Sequence, residues 1–103
     1  MNELELEKLK NIGKGDWTLN AFEIKNHLSK KDLMVLHEIY LLRCLTIIQI
    51  HNNFYINEYS GMQEFRDKKL NQLINFGIVE EVFFSSDNSA LFLTRIGIDI
   101  VID

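Results

Sequence analysis

The stretch LNQLINFGIVEEVFFSSDNSALFLTRIG, Leu70 to Gly97, begins with the spacing of a helix and ends with the composition of strands. Leu70, Leu73 and Ile74 recur on one helical face, which predicts a helix running to Phe76. Gly77 follows, and glycine readily takes the left-handed conformation that ends helices. IVEEVFF and ALFLT are then rich in β-branched and aromatic residues. Between them stands SSDNS (Ser85, Ser86, Asp87, Asn88 and Ser89), made of turn formers. The expectation is a helix, a glycine stop and a hairpin with a polar tip. The tail RIGIDIVID reads two ways. Ile96, Ile98, Ile100 and Ile102 alternate as in a strand, yet Thr94 is placed to cap a last helix.

Upstream, three segments fit one device. SKKD at Ser29–Asp32, TIIQ at Thr46–Gln49 and SGMQ at Ser60–Gln63 each match a capping box, with Asp32 as a shorter variant of the usual reciprocal residue. Each precedes an apolar-periodic run, so three helices are expected: about 31–43, about 46–53 and about 61–76. In the first, DLMVLHEIYLLR, only His37 and Glu38 are polar between Leu33 and Leu42. A helix apolar nearly all round is expected to be covered nearly all round. In the second, Ile47, Ile50 and Phe54 read as inward. Before these, Leu6, Leu9 and Ile12 predict an N-terminal helix closed by Gly13 and Gly15. A short helix over 18–28 would turn Leu19, Phe22 and Leu28 inward. The chain thus divides into a helical extension, 1–28, and a domain of helices and hairpin, 29–103.

Composition bounds the class. The chain has 103 residues, 47% hydrophobic and 25% charged, as expected of one globular domain. The net charge of -4, from 11 Lys+Arg against 15 Asp+Glu, runs mildly against nucleic acid as partner. The one cysteine, Cys44, lies in YLLRCLTII and reads as a small buried hydrophobe; a single cysteine makes the cytosol the expected compartment. MNELELEKLK lacks the apolar core of a leader, and no apolar run approaches the roughly 18 residues of a membrane span. His27, His37 and His51 lack metal-ligand spacing, and GKG at Gly13–Gly15 is too short for a phosphate loop. No enzyme, metal or cofactor is therefore expected.

Three capped helices followed by a hairpin resemble the winged helix-turn-helix family over roughly Ser29 to Ile102, which would make this an α+β, mainly helical fold with extra N-terminal helices and a short C-terminal element. Leu70, Leu73, Gly77, Ile78, Leu93, Thr94 and Gly97 fill the places of the family's recognition-helix leucines, stop glycine, wing strands and Leu-Thr-x-x-Gly ending. RCLTIIQI is similar to the usual opening of its second helix. Small bacterial regulators of the MarR and ArsR kind share this core. The chain also resembles the DNA-binding adaptor of tubulin-like plasmid-partition systems and the winged domains of plasmid replication-relaxation proteins. The resemblance implies double-stranded DNA as partner and helix for the tail.

With Leu70 and Leu73 inward, helical geometry places Glu64, Asp67, Lys68, Asn71 and Asn75 outward, with Gln63 and Gln72 beside them. Gln63 and Asn71 are suited to adenine, and Lys68 to guanine or phosphate. Arg66 and Lys69 lie nearer the apolar stripe, where long stems snorkel toward phosphates. Ser60 and the first-turn amides form an expected phosphate seat. Arg66, Lys68 and Lys69 are three of six basic residues after position 30, which is the electrostatic case for DNA. Against it, Glu64 and Asp67 share that face, and the wing has no Lys or Arg. The expected DNA-contacting set is thus Ser60, Gln63, Arg66, Asp67, Lys68, Lys69, Asn71 and Gln72, with the wing Ser85 to Ser89. Leu6, Leu9, Leu33, Ile98 and Ile102 are the expected dimer contacts. The expected role is a bacterial or plasmid homodimer acting as repressor or as partition adaptor, with a partition or replication protein as a further partner. The other reading is a winged helix that binds proteins through Glu64, Asp67, Glu80 and Glu81.

Overall fold

Ser29 and Thr46 do what the sequence predicts. The Ser29 hydroxyl accepts from the Asp32 amide while Asp32 accepts from the Ser29 amide, and Thr46 and Gln49 repeat the exchange. In the computed structural model, which describes residues 21–102, these caps open the second and third of five helices. The elements are α1 (Ala21–Lys25), α2 (Lys30–Leu42), β1 (Cys44–Thr46), α3 (Ile47–Ile50 continued by His51–Tyr55), α4 (Met62–Phe65, Arg66–Leu70 and Asn71–Asn75), β2 (Val79–Phe83), β3 (Ser89–Leu93) and α5 (Arg95–Ile102). The expectations for Leu6 and Leu9, and for the helix containing them, lie outside the described residues.

The third capping box does not form. The N-cap of α4 is Gly61, without a side-chain bond, and Gln63 instead donates to Asp67 at 2.8 Å. Helix geometry holds a second surprise. His51–Tyr55 and Arg66–Leu70 are π-helical. Each wide turn follows a fully buried residue whose next fully buried partner is five positions on: Ile50 with Tyr55, and Phe65 with Leu70. In an α-helix five residues fall about 140° off the starting face; the wider turn brings both onto one face.

The sheet is antiparallel, in the order β1-β3-β2. Leu45 lies opposite Leu91, and Glu81 opposite Leu91 on the other side. The chain leaves α2 through Arg43 at φ 80, a conformation rare for a residue with a side chain. That reversal turns the chain into β1, a strand the sequence reading did not include. Cys44 within it is half-buried rather than buried.

Ile24, Val35, Leu36, Ile39, Ile50, Tyr55, Phe65, Leu70, Leu73, Ile78, Leu91 and Ile100 form the fully buried centre. Phe22 was expected inward; it is 69% exposed, and Ile24 takes its place in the core. Helix α2 is not covered all round by the described residues: Met34, Tyr40, Leu41 and Leu42 are exposed. The tail is helical. Ile96 and Ile100, one turn apart, pack inward, while Ile98 and Ile102 face out.

One corner joins α4, β3 and α5. Gly77 ends α4 at φ 75. Thr94 donates its hydroxyl to the Gly77 carbonyl at 2.5 Å and accepts from the Gly97 amide at 3.2 Å. Gly97 sits on the Ile78 carbonyl so closely that a Cβ there would lie 2.1 Å from its oxygen.

Candidate nucleic-acid interface

Helix α4 presents a solvent face much as the pattern predicts. Gln63, Glu64, Asp67, Lys68, Asn71 and Asn75 are all exposed, and Gln72 is half-buried. Lys68 pairs with Glu64 at 3.2 Å, one turn back on the surface. No side-chain hydrogen bond of Asn71 or Asn75 occurs among the described residues, so both amides are available to a ligand. Ser60 is exposed and does not cap the helix.

The other two cations of α4 turn toward the protein. Arg66 lies across the hairpin: it donates to both Glu81 oxygens, at 2.8 and 3.4 Å, and to Ser89 Oγ at 3.5 Å, with the Phe83 ring 5.9 Å away. Lys69 runs inward to Asp32 at 3.0 Å and Gln72 at 2.8 Å, and its side chain is 11% exposed. Lys69 is largely covered, whereas the Arg66 side chain keeps 28% of its surface exposed. Of the three expected cations, Lys68 is the most exposed.

Lys69 belongs to a buried polar cluster that the sequence reading missed. The Asp32 carboxylate accepts from the Tyr55 hydroxyl at 2.6 Å, from the Ser29 amide and from Lys69. Burial alone would push the Asp32 carboxyl up. Its bonds from Tyr55, Ser29 and Lys69 outweigh burial and hold it below its usual range. Burial, then the bond to Asp32, drives the Tyr55 hydroxyl far above its ordinary value. One signal for this site was present in the sequence. Asp32 is the capping acid at the mouth of an apolar helix, where a carboxylate needs a partner.

The stretch Ser85 to Ser89 is split between a turn and a strand. Ser85, Ser86, Asp87 and Asn88 form an exposed turn, closed by Asn88 donating to Ser85 Oγ at 2.8 Å. Ser89 is not part of it. It is a buried strand residue whose hydroxyl donates to Glu81. Of the expected dimer contacts, Leu33 is half-buried against the core, whereas Ile98 and Ile102 are exposed. Among the described residues, no group of three His, Cys, Asp or Glu side chains is placed to hold a metal. No described helix is long and apolar enough to cross a membrane.

Neither models of known protein families, nor curated proteins, nor solved structures yield a match to this chain.

Proposed function

We propose that helices α2 to α4 and the three-stranded sheet form a winged helix-turn-helix, and that the protein binds specific double-stranded DNA as a cytosolic homodimer. The observation that carries this reading is the solvent face of α4, where Asn71 and Asn75 stand one turn apart with uncommitted amides. Such amides bond adenine bidentately in the major groove. Lys68 supplies a phosphate contact, because an exposed pair such as Lys68–Glu64 is weak and exchanges readily for a phosphate. Arg66 fixes the hairpin against α4 rather than touching DNA. The output is repression of a promoter or marking of a plasmid partition locus, both of which use the same dimer. A partition or replication protein is then the further partner.

Selection of bound duplexes from a random pool at about 0.1 M salt tests the proposal, since phosphate contacts alone would persist without sequence preference at that ionic strength. An enriched repeat is expected, its half-site spacing giving the dimer geometry. No enrichment with folded protein overturns it. Asn71→Ala should relax preference at one base of each half-site, by about 1–3 kcal/mol.

One observation favours a second reading. Each cation of α4 already has a carboxylate partner: Arg66 with Glu81, Lys68 with Glu64 and Lys69 with Asp32. A helix neutralised in this way suits a protein partner. Lys68→Ala separates the readings, since it weakens DNA binding in the first and leaves a protein-binding module without a DNA phenotype.

A further inference from the structure

Leu33 and His37 stand on a ridge of α2 with a groove on either side. One groove, of about 360 Å³, lies between α2 and α3 and is lined by Lys30, Leu33, Met34, His37, Glu38 and Phe54. The other, of about 190 Å³, lies among α1, α2 and α5 and adds Lys25, Ile100 and Val101. Met34 is 53% exposed on this surface. Lys25, Lys30 and Glu38 line the grooves without an ion pair among the described residues. Their charges follow an order. Lys30 stands at the start of α2, with Lys25 in the neighbouring groove, and the Glu38 carboxylate follows about two turns on.

The sequence of residues 1–20 carries the complementary order. At helical spacing, Leu6, Leu9 and Ile12 fall on one face about 120° wide. Glu5 falls inside that face and Glu3 borders it beside Leu6, while Lys8 and Lys10 border its two sides further along. The acidic end of this stripe comes first and the basic end follows. Residues 13–20 join it to Ala21, where α1 begins, and eight residues reach up to about 26 Å. A tether of that length gives an effective concentration on the order of millimolar, so contacts too weak to hold a free partner suffice here.

We propose that the chain's own residues 3–12 occupy this surface as a helix lying along α2 and parallel to it. Leu6, Leu9 and Ile12 cover Leu33, Met34 and Phe54, in the manner of an amphipathic helix laid in an apolar groove. Glu3 and Glu5 then meet Lys30 and Lys25, and the Lys8 and Lys10 end meets Glu38. The antiparallel orientation would set Lys8 and Lys10 against Lys25 and Lys30, so charge selects the direction. Leu6 and Leu9 thereby make contacts within one chain rather than between two. This docking does not depend on DNA binding by α4.

Methyl NMR of the full chain tests the assignment, because Met34 lies on the surface and Met62, on α4, serves as the control. The Met34 methyl should show nuclear Overhauser contacts to Leu6 or Leu9. Leu6→Asp with Leu9→Asp should abolish them and shift the Met34 signal, with Met62 unmoved. Lys25→Glu with Lys30→Glu should speed amide exchange of residues 6–12 about fivefold, the size of a few exposed charge contacts, and adding Glu3→Lys with Glu5→Lys should restore it. No contact from Met34 to residues 3–12, or no response to the charge changes, overturns the proposal. So do contacts that arise only between labelled and unlabelled chains in a mixed sample, which would make the occupant a second copy.

Discussion

Replacing Lys69 with methionine removes the cation that neutralises a carboxylate only 2% exposed. Breaking a buried pair from one side typically costs about 3 kcal/mol, because the remaining charge is left unpaired. Urea unfolding of Lys69→Met should show a loss of that order; a loss under about 0.5 kcal/mol, the size of a surface change, would contradict the buried assignment. The same site predicts a pH dependence. The folded Asp32 carboxyl is held below its unfolded value, so its contribution is full above the ordinary carboxylate range and is lost as pH falls through the folded value. Wild-type stability should therefore drop more steeply between about pH 5 and pH 2 than that of Asp32→Asn. Two glycines make another contrast. At Gly77 the space is open but φ is 75, so Gly77→Val is opposed by backbone conformation, at about 1–3 kcal/mol. At Gly97 the obstacle is the Ile78 carbonyl, and Gly97→Ala requires the α5–β3 corner to shift. Both should lower the melting temperature, and an unchanged midpoint for either would contradict the corner as described.

Among the elements, caps and hairpin were legible because their signals are local. Ser29 with Asp32 and Thr46 with Gln49 lie three residues apart, and Gly77 announces its own backbone. Ser60 matched the same pattern without forming it. Thr46→Ala should cost about 1 kcal/mol and Ser60→Ala almost nothing, a difference that thermal melts resolve. Strand β1 was not legible, since three residues carry no alternation. The wide turns of α3 and α4 were hidden by the assumption of 100° per residue. The fate of the cations was hidden by distance. Arg66 and Glu81 are 15 positions apart and Lys69 and Asp32 37, so no helical spacing reveals either pair. The solvent face of α4, by contrast, was read correctly from Leu70 and Leu73 alone.

For the whole molecule, the open question of the surface is α2. Tyr40 and Leu41, with Arg43, Phe92, Leu93 and Ile98, line a groove of about 370 Å³ between α2, β3 and α5. Leu42 and Ile102 are exposed as well. Single exposed apolar residues are ordinary, but contiguous ones mark association surfaces. The proposed homodimer uses this side. Sedimentation at micromolar concentration should show a species near twice the 12.1 kDa chain. The monomer alone would sink the dimer, and with it the paired half-sites expected of the DNA target.

The wide turn in α4 bears on how the chain tolerates a shortened gene. Deleting one residue from a helix normally rotates everything beyond it out of register. Within Arg66–Leu70 the opposite holds: removing Asp67, which is exposed, sets Phe65 and Leu70 four positions apart, the ordinary interval for one face. The helix would lose its bulge and keep its buried side. A chain lacking Asp67 should fold and melt cooperatively, whereas one lacking Gln72, in the regular turn beyond, should not.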